Sequence, residues 1–277
     1  TGKNDNYVRN IWEISSKNIG KGKKYVPYAK GGEFRRWYGN ISHVVDWSEK
    51  AINFYKKSHV GRVIKSIYWF KEGLTFSRMA KVVNSRKLDE RGTFDGTTVS
   101  FFYKNNIKLN NNWLLGFFNS IVSDYYIKVL NPTLVFQYID LKKIPVITND
   151  RINYSIINDN VLISERDWDE NEQSIDYEKS PIINNSSSLL ISYNKWVEKV
   201  TEDFFKLHEN EEELNRIFID IYGLQDELNS DVALKDITIL QVELDRKELE
   251  SRNSEYLSAK TGLPIKKDVV IKQLLSY

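Results

Sequence analysis

Cysteine is absent from this 277-residue chain, which excludes disulfides and thiolate-held metals and suits a reducing cytoplasm, the expected location. No apolar run approaches the roughly 20 residues that span a bilayer, so no membrane partner is expected. The opening Thr1-Gly2-Lys3-Asn4 has no initiator methionine and does not resemble a signal peptide, so it reads as the interior of a longer gene product. Histidine is scarce too. His43, His59 and His208 lie far apart and show no metal-ligand spacing, so no metal site is assigned.

Catalytic motifs are equally thin. A metal-dependent nuclease needs acidic groups and a lysine in an Asp…Glu-x-Lys arrangement that holds metal and water together. Glu178-Lys179 and Glu198-Lys199 have the wrong spacing and read as surface ion pairs. An amino methyltransferase needs a glycine-rich loop after a strand for its sulfonium cofactor, and an Asn/Asp-Pro-Pro-aromatic tetrapeptide to grip an extruded adenine. The nearest approaches are Phe94-Asp95-Gly96 and Asn131-Pro132-Thr133-Leu134, and the second lacks both the second proline and the stacking ring. No catalytic residue and no cofactor site are therefore expected in this chain.

Charge is present in abundance, although the net +2 conceals it. Residues 1–150 carry 25 Lys and Arg against 12 Asp and Glu, a net +13; residues 151–277 carry 15 against 26, a net −11. A polyanion would be drawn to the first half and repelled by the second, which points to double-stranded DNA as partner. The densest basic and aromatic segment runs from Lys17 to Tyr38. In it Lys21, Lys23 and Lys24 suit phosphates, Lys30 precedes Gly31-Gly32, where backbone can approach DNA closely, and Arg35 or Arg36 is expected to face the groove. Trp37 and Tyr38 read as core. A second basic stretch, Arg62 to Arg91, offers Thr75, Ser77 and Arg78 as donors to phosphates or base edges.

Hydrophobic patterning gives short strands at Tyr25–Tyr28, His43–Trp47, Ser66–Phe70 and Val99–Tyr103, with Phe34–Gly39 and Gly73–Met79 as ordered loops or short helices. Trp113 to Leu130 reads as one buried helix ended by Asn131-Pro132. A polar connector follows, up to Ser186. Leu189, Tyr193, Trp196, Val200, Phe204 and Leu207 then form a helical stripe that can run to Gly223, a C-cap glycine. A helix of that length either packs along the first half or meets another domain or subunit. Asp226 to Glu250 and the apolar end Val269 to Leu275 suggest further helices.

Several ordered motifs carry a family resemblance. The runs 1–9 and Lys30-Gly31-Gly32-Glu33-Phe34-Arg35-Arg36-Trp37-Tyr38-Gly39-Asn40 resemble the segment that follows the catalytic domain in the BREX adenine methyltransferases of the PglX type. So do Trp69 to Ser77, Gly116 to Ser120, Leu130 to Leu134, Ile144-Pro145-Val146 and, most distinctively, Glu211 to Gly223. The resemblance implies a target recognition domain, similar in logic to type I restriction specificity subunits and fused restriction–methylation enzymes. A catalytic domain elsewhere in the same polypeptide would use S-adenosylmethionine to methylate adenine N6, and the phage-defence system would spare the marked host. The resulting expectation is an α+β chain, with a mixed-sheet DNA recognition domain over 1–180 and a helical connector over 181–277, inactive by itself. Its expected DNA contacts are Lys21, Lys23, Lys24, Lys30, Arg35, Arg36 and Arg78. Two other readings remain open: a module that docks other defence-system subunits through the acidic half, and the specificity region of a fused nuclease–methyltransferase.

Overall fold

A computed structural model describes residues 4–58, 63–78, 82–96, 98–102, 111–133, 138–147, 152–183, 188–247 and 249–250. The fold is α+β. Helix α1 (Asn4–Tyr7) leads into β1 (Val8–Asn10), followed by β2 (Tyr25–Ala29), β3 (His43–Asp46), α2 (Glu49–Lys57), β4 (Gly73–Ser77), β5 (Arg86–Leu88), β6 (Thr93–Phe94) and β7 (Thr98–Phe101). Helices α3 (Asn111–Phe118), α4 (Ile121–Leu130), α5 (Tyr138–Leu141), α6 (Tyr154–Asp169) and α7 (Leu189–Tyr222) complete the described elements, apart from short 3-10 turns.

Two sheets form, a four-stranded one in the order β1-β3-β2-β6 and a three-stranded one in the order β5-β4-β7. The first is mixed, since β2 pairs antiparallel with β3 and parallel with β6. Strand alternation explains its two apolar faces. Val26, Tyr28 and Val45 face α2, where they pack with Val8, Ala51 and Tyr55, whereas Val44 turns to the opposite side beside Ile11 and Ile19. Ser48 caps α2 by accepting from the Ala51 N–H at 3.3 Å.

The second sheet belongs to the main core. Leu74 and Phe76 from β4 join Trp113 and Phe117 from α3, Ile157 from α6, and Phe204, Leu214 and Phe218 from α7 in one buried cluster, which extends to Leu249. Helix α7 has 34 residues, about 51 Å at 1.5 Å per residue, and ends as expected at Gly223, whose φ of 66° and ψ of 39° are left-handed. From Val197 to Ile219 its apolar face is buried by the helices and sheet of the first half. The helix read as a connector therefore shares its core with residues from Trp37 onward, and the boundary drawn at residue 180 runs through this cluster. At its start, Leu189, Leu190 and Ile191 are exposed.

Four local expectations are corrected. Ser66–Phe70 is not a strand; Ser66–Tyr68 forms a 3-10 turn, because the Tyr68 and Trp69 N–H groups donate back to Lys65 and Ser66 carbonyls. Gly73–Ser77 is the central strand β4 rather than a loop, its glycine pressed against the Phe101 carbonyl at a point where a Cβ would lie only 2.4 Å away. The single helix expected over 113–130 breaks at Asn119-Ser120, where the Asn119 side chain is diverted to bond both the N–H and the carbonyl of Ser85. The polar connector contains helix α6. Between Asp226 and Glu250 the one labelled helical element is the turn Leu234–Asp236; the apolar end 269–275 lies outside the described residues.

Gly39 is the tightest backbone position. Its φ is +113°, and an added Cβ would sit 2.5 Å from Arg35 Nε and 2.8 Å from the Trp168 ring. Gly39→Ala should cost roughly 2–4 kcal/mol in urea denaturation, from left-handed strain and overpacking together. A loss below about 1 kcal/mol, the size of an ordinary surface change, would show that the loop relaxes freely.

Candidate nucleic-acid interface

The segment Phe34–Asn40 goes to the centre of the molecule, not to its surface. Arg35 is 4% exposed and Arg36 8%. Arg35 donates to Asp167 Oδ2 at 2.6 Å and to the Tyr38, Ser164 and Thr238 carbonyls at 2.7, 3.0 and 3.3 Å, and its guanidinium lies over the Trp168 ring at 5.1 Å. Arg36 Nη1 donates to Glu211 Oε2 at 3.0 Å, while the other Glu211 oxygen accepts from Trp37 Nε1 at 2.7 Å. Asp124 lies 3.7 Å from Arg36 Nη2. Burial works against the Arg36 charge, but Glu211 and Asp124 more than offset it and raise its pKa. Burial raises the pKa of Glu211, with Arg36 and the Trp37 N–H opposing. In this conformation Arg35 and Arg36 are thus ion-paired inside the chain, which corrects the expectation that one of them faces a groove. Trp37, fully buried, and Tyr38, 3% exposed, are core as expected.

The lysines lie where the sequence puts them. Lys21, Lys23 and Lys24 are all exposed on the turn before β2. Gly20 and Gly22 take left-handed φ values of 137° and 78°, and Lys23 N–H donates to the Gly20 carbonyl at 3.0 Å, so the turn is tight and displays its side chains outward. Lys21 Nζ sits 5.9 Å from the Phe70 ring centre, and Lys24 Nζ lies over Tyr25 and 4.0 Å from Asp46. Phe70 packs edge-on against Trp47, which also meets Trp69. Exposed Lys50 and Lys71 are close in the chain to Trp47 and Phe70, so the fold gathers both basic stretches around this aromatic cluster. Sequence reasoning missed that convergence, because 20 or more residues separate its parts.

Lys30 and Arg78 meet at the far end of β2. The Gly32 N–H donates to Ser77 Oγ at 3.4 Å, which brings Lys30-Gly31-Gly32 beside Arg78, an exposed side chain. Lys24 and Lys30 flank β2, so about 20 Å of extended strand separates them at roughly 3.3 Å per residue. Beyond Lys30 opens a cleft of about 1110 Å³ that also carries Glu33, Asp167, Glu170 and Glu243. Burial and the neighbouring Asp167 raise the pKa of Glu243. A phosphate backbone is disfavoured in that cleft.

Other candidates are occupied within the fold. Thr75 and Ser77 are buried, 2% and 4% exposed. Arg86 is fully buried, its pKa lowered to about 9 by desolvation and then by Arg35. Arg91 donates to Asp89 and Asp176. Arg62, Lys81 and His59 lie outside the described residues. The turn at Phe94-Asp95-Gly96 joins two strands, with Thr98 Oγ1 donating to the Asp95 carbonyl at 2.7 Å, and leads into no helix that could present backbone N–H groups to a sulfonium cofactor. Asn131 Oδ1 accepts from the Thr133 N–H at 3.0 Å and its amide donates to Asp140 at 2.7 Å, so its polar atoms serve the end of α4. These residues do not fit S-adenosylmethionine. Among the described residues no group of three or more His, Asp or Glu is placed to hold a metal. No described helix is long and apolar enough to cross a membrane.

No protein-family model matches the chain. Two curated proteins do. The chain is 30% identical over 269 residues to the adenine-specific methyltransferase PglX of Lacticaseibacillus casei (strain Zhang), an alignment covering 89% of this chain and 22% of that protein. It is 27% identical over 278 residues to the adenine-specific methyltransferase BrxX of Escherichia coli O9:H4 (strain HS), covering 99% of this chain and 22% of that protein. The chain is thus homologous to one region of these methyltransferases and spans about a fifth of their length.

Asp124 makes the buried ion cluster sensitive to pH. Burial pushes its pKa up from 3.8 to about 6, with Arg36 and the Val83 N–H pulling the other way. Between these values the folded chain holds a proton that the unfolded chain releases, so this contribution to stability falls as pH rises from about 4 to 6 and is level above. Glu211 adds in the same direction. Urea melts across this window should therefore show a flatter profile for Asp124→Asn than for the parent chain; an unchanged profile would exclude Asp124 as its source.

Proposed function

We propose that this chain is the double-stranded DNA recognition region of an adenine-specific methyltransferase from a BREX-type phage-defence system, without catalytic activity of its own. The observation that carries the reading is the outward display of lysines from a half whose net charge is +13, in a chain homologous to part of two adenine-specific methyltransferases. Lys21, Lys23 and Lys24 engage phosphates near one end of β2. Lys30 and Arg78 engage the duplex near the other, where Gly31 and Gly32 leave room for backbone approach. Arg78 takes over the base-reading role that burial denies to Arg35 and Arg36, since a planar guanidinium can fork onto guanine O6 and N7. A catalytic domain in the same polypeptide supplies S-adenosylmethionine binding and methyl transfer to adenine N6.

A second reading, docking of another defence-system subunit or of the catalytic domain itself, is favoured by the exposed Leu189, Leu190 and Ile191 at the start of α7. The two readings use different surfaces and are compatible.

Fluorescence anisotropy with duplexes at several salt concentrations tests the DNA reading. Replacing any one of Lys21, Lys23 or Lys24 by alanine should weaken all sequences alike and reduce the log–log salt slope by about 0.9. Arg78→Ala should cost roughly 1–3 kcal/mol on the preferred site and relax its preference. Arg36→Ala should instead lower folding stability. Unaltered slopes and affinities in all four surface variants would overturn the assignment.

A further inference from the structure

The buried cluster leaves a recess open on one side. Its volume is about 510 Å³, within the range of small-molecule sites, and its walls include Phe34, Arg36, Asn84, Asp124, Lys128 and Asp236. Two of these wall residues are deeply buried and carry donors with no partner among the described residues. Asn84 is 1% exposed, and its Oδ1 accepts from the Ser77 N–H at 3.1 Å. That bond fixes the carboxamide and leaves Nδ2 as the unmatched end on a residue of the wall. Arg36 commits Nη1 to Glu211 and comes within only 3.7 Å of Asp124 through Nη2, while its Nε is unmatched. Unmatched buried donors cost about 1–3 kcal/mol each, and an acceptor brought by an occupant would relieve that cost.

The charge around the recess selects among occupants. Asp124, Asp231 and Asp236 line it, against Lys128 and an Arg36 already paired to Glu211. An anion is therefore disfavoured. The walls ask for a neutral group with acceptors for Asn84 and Arg36, N–H donors for Asp124 or Asp236, and a flat apolar body for the half-buried Phe34 ring. A nucleobase has all three. Guanine fits best, because O6 and N7 are acceptors and its neighbouring N1–H and N2–H₂ are donors. We propose that this recess binds a guanine base, with Asn84 Nδ2 and Arg36 Nε on its acceptor edge and Asp124 on its donor edge. The inference deepens the nucleic-acid reading, but binding of a free base does not depend on it.

The side-chain NH₂ pair of Asn84 offers a direct probe by ¹⁵N-edited NMR of the full chain, assigned by its disappearance in Asn84→Asp, which keeps an acceptor for the Ser77 N–H. Guanosine should shift that pair saturably, with adenosine, cytidine and thymidine weaker by at least about tenfold. Phe34→Leu, a change at a half-buried wall position, should weaken guanosine by roughly tenfold through lost stacking. Guanosine monophosphate should bind no more tightly than guanosine, given the acidic walls. A duplex with one unpaired guanine distinguishes the source: a shift there but not with a fully paired duplex identifies an extrahelical base, whereas a shift with the free nucleoside alone identifies a soluble ligand. An Asn84 pair that stays still, or that moves equally with all four nucleosides, would overturn the proposal. If paired duplex still bound through the lysines, only the recess would have failed; if guanosine shifted Asn84 but paired duplex did not bind, only the DNA reading would have.

Discussion

The fold turns on the Glu211 carboxylate, whose two oxygens take one hydrogen bond from Arg36 and one from Trp37 in a setting only 2% exposed. Glu211 comes from the middle of α7, so this contact ties the long helix to a loop 175 residues earlier. The same loop donates from the Trp37 N–H to Ser85 and receives the Lys87 N–H, which adds β5; Arg35 reaches Asp167 on α6. Such a segment cannot be relaxed. Trp37 and Asn40 hold left-handed φ values of 69° and 59°, conformations that cost of order 1–3 kcal/mol each and persist only where surroundings over-determine them. Removing one partner from a buried pair leaves a stranded charge and costs roughly 3–5 kcal/mol, so the strained loop and its acids must be kept together.

This arrangement also sorts the basic residues by chemistry. Guanidinium is planar, weakly hydrated and many-handed, which makes it suited to buried carboxylate pairs; ammonium is strongly hydrated and stays in water. Accordingly Arg35, Arg36 and Arg86 are interior, whereas Lys21, Lys23 and Lys24 are exposed. Part of the acidity of the second half is spent inward, through Asp167 and Glu211. The apparent charge split between halves is thus partly a buried neutralisation and partly a surface field.

How much was legible follows from where each signal resides. Strands β2 and β3, the helix α7 and its terminal Gly223 depend on local pattern, and local pattern revealed them. Strand β4 was read as a loop because it is buried on both faces, with Thr75 and Ser77 as enclosed as Leu74 and Phe76, so the expected alternation is missing. Helix α6 was hidden for a related reason: Asn160 and Ser164 occupy its buried face, and Asn160 accepts from Asn210 on α7 at 2.8 Å, which breaks the apolar stripe. At the candidate interface the lysines were legible, since water is the default environment for an ammonium. The fates of Arg35 and Arg36 were not. Bidentate base reading and buried ion pairing ask for the same residue type, and the deciding carboxylates, Asp167 and Glu211, lie 132 and 175 residues away.

Rigidity gives the surface its geometry. Strand β2 is paired on both sides at Tyr28 and on one side from Tyr25, so the lysine turn before it and the Lys30–Arg78 end beyond it are held at a fixed spacing rather than on independent loops. A span of about 20 Å corresponds to some six steps of duplex at 3.4 Å along each strand. Phosphate contacts at one end fix register and orientation while carrying no sequence information, and discrimination then falls to whatever group the strand places at the other. A stiff ruler makes that division useful, because a reading side chain misplaced by one base step meets the wrong edge. The buried cluster holds the loop that continues from Lys30, so the ion pairs that removed two arginines from the surface also locate the end of the strand at which reading is expected.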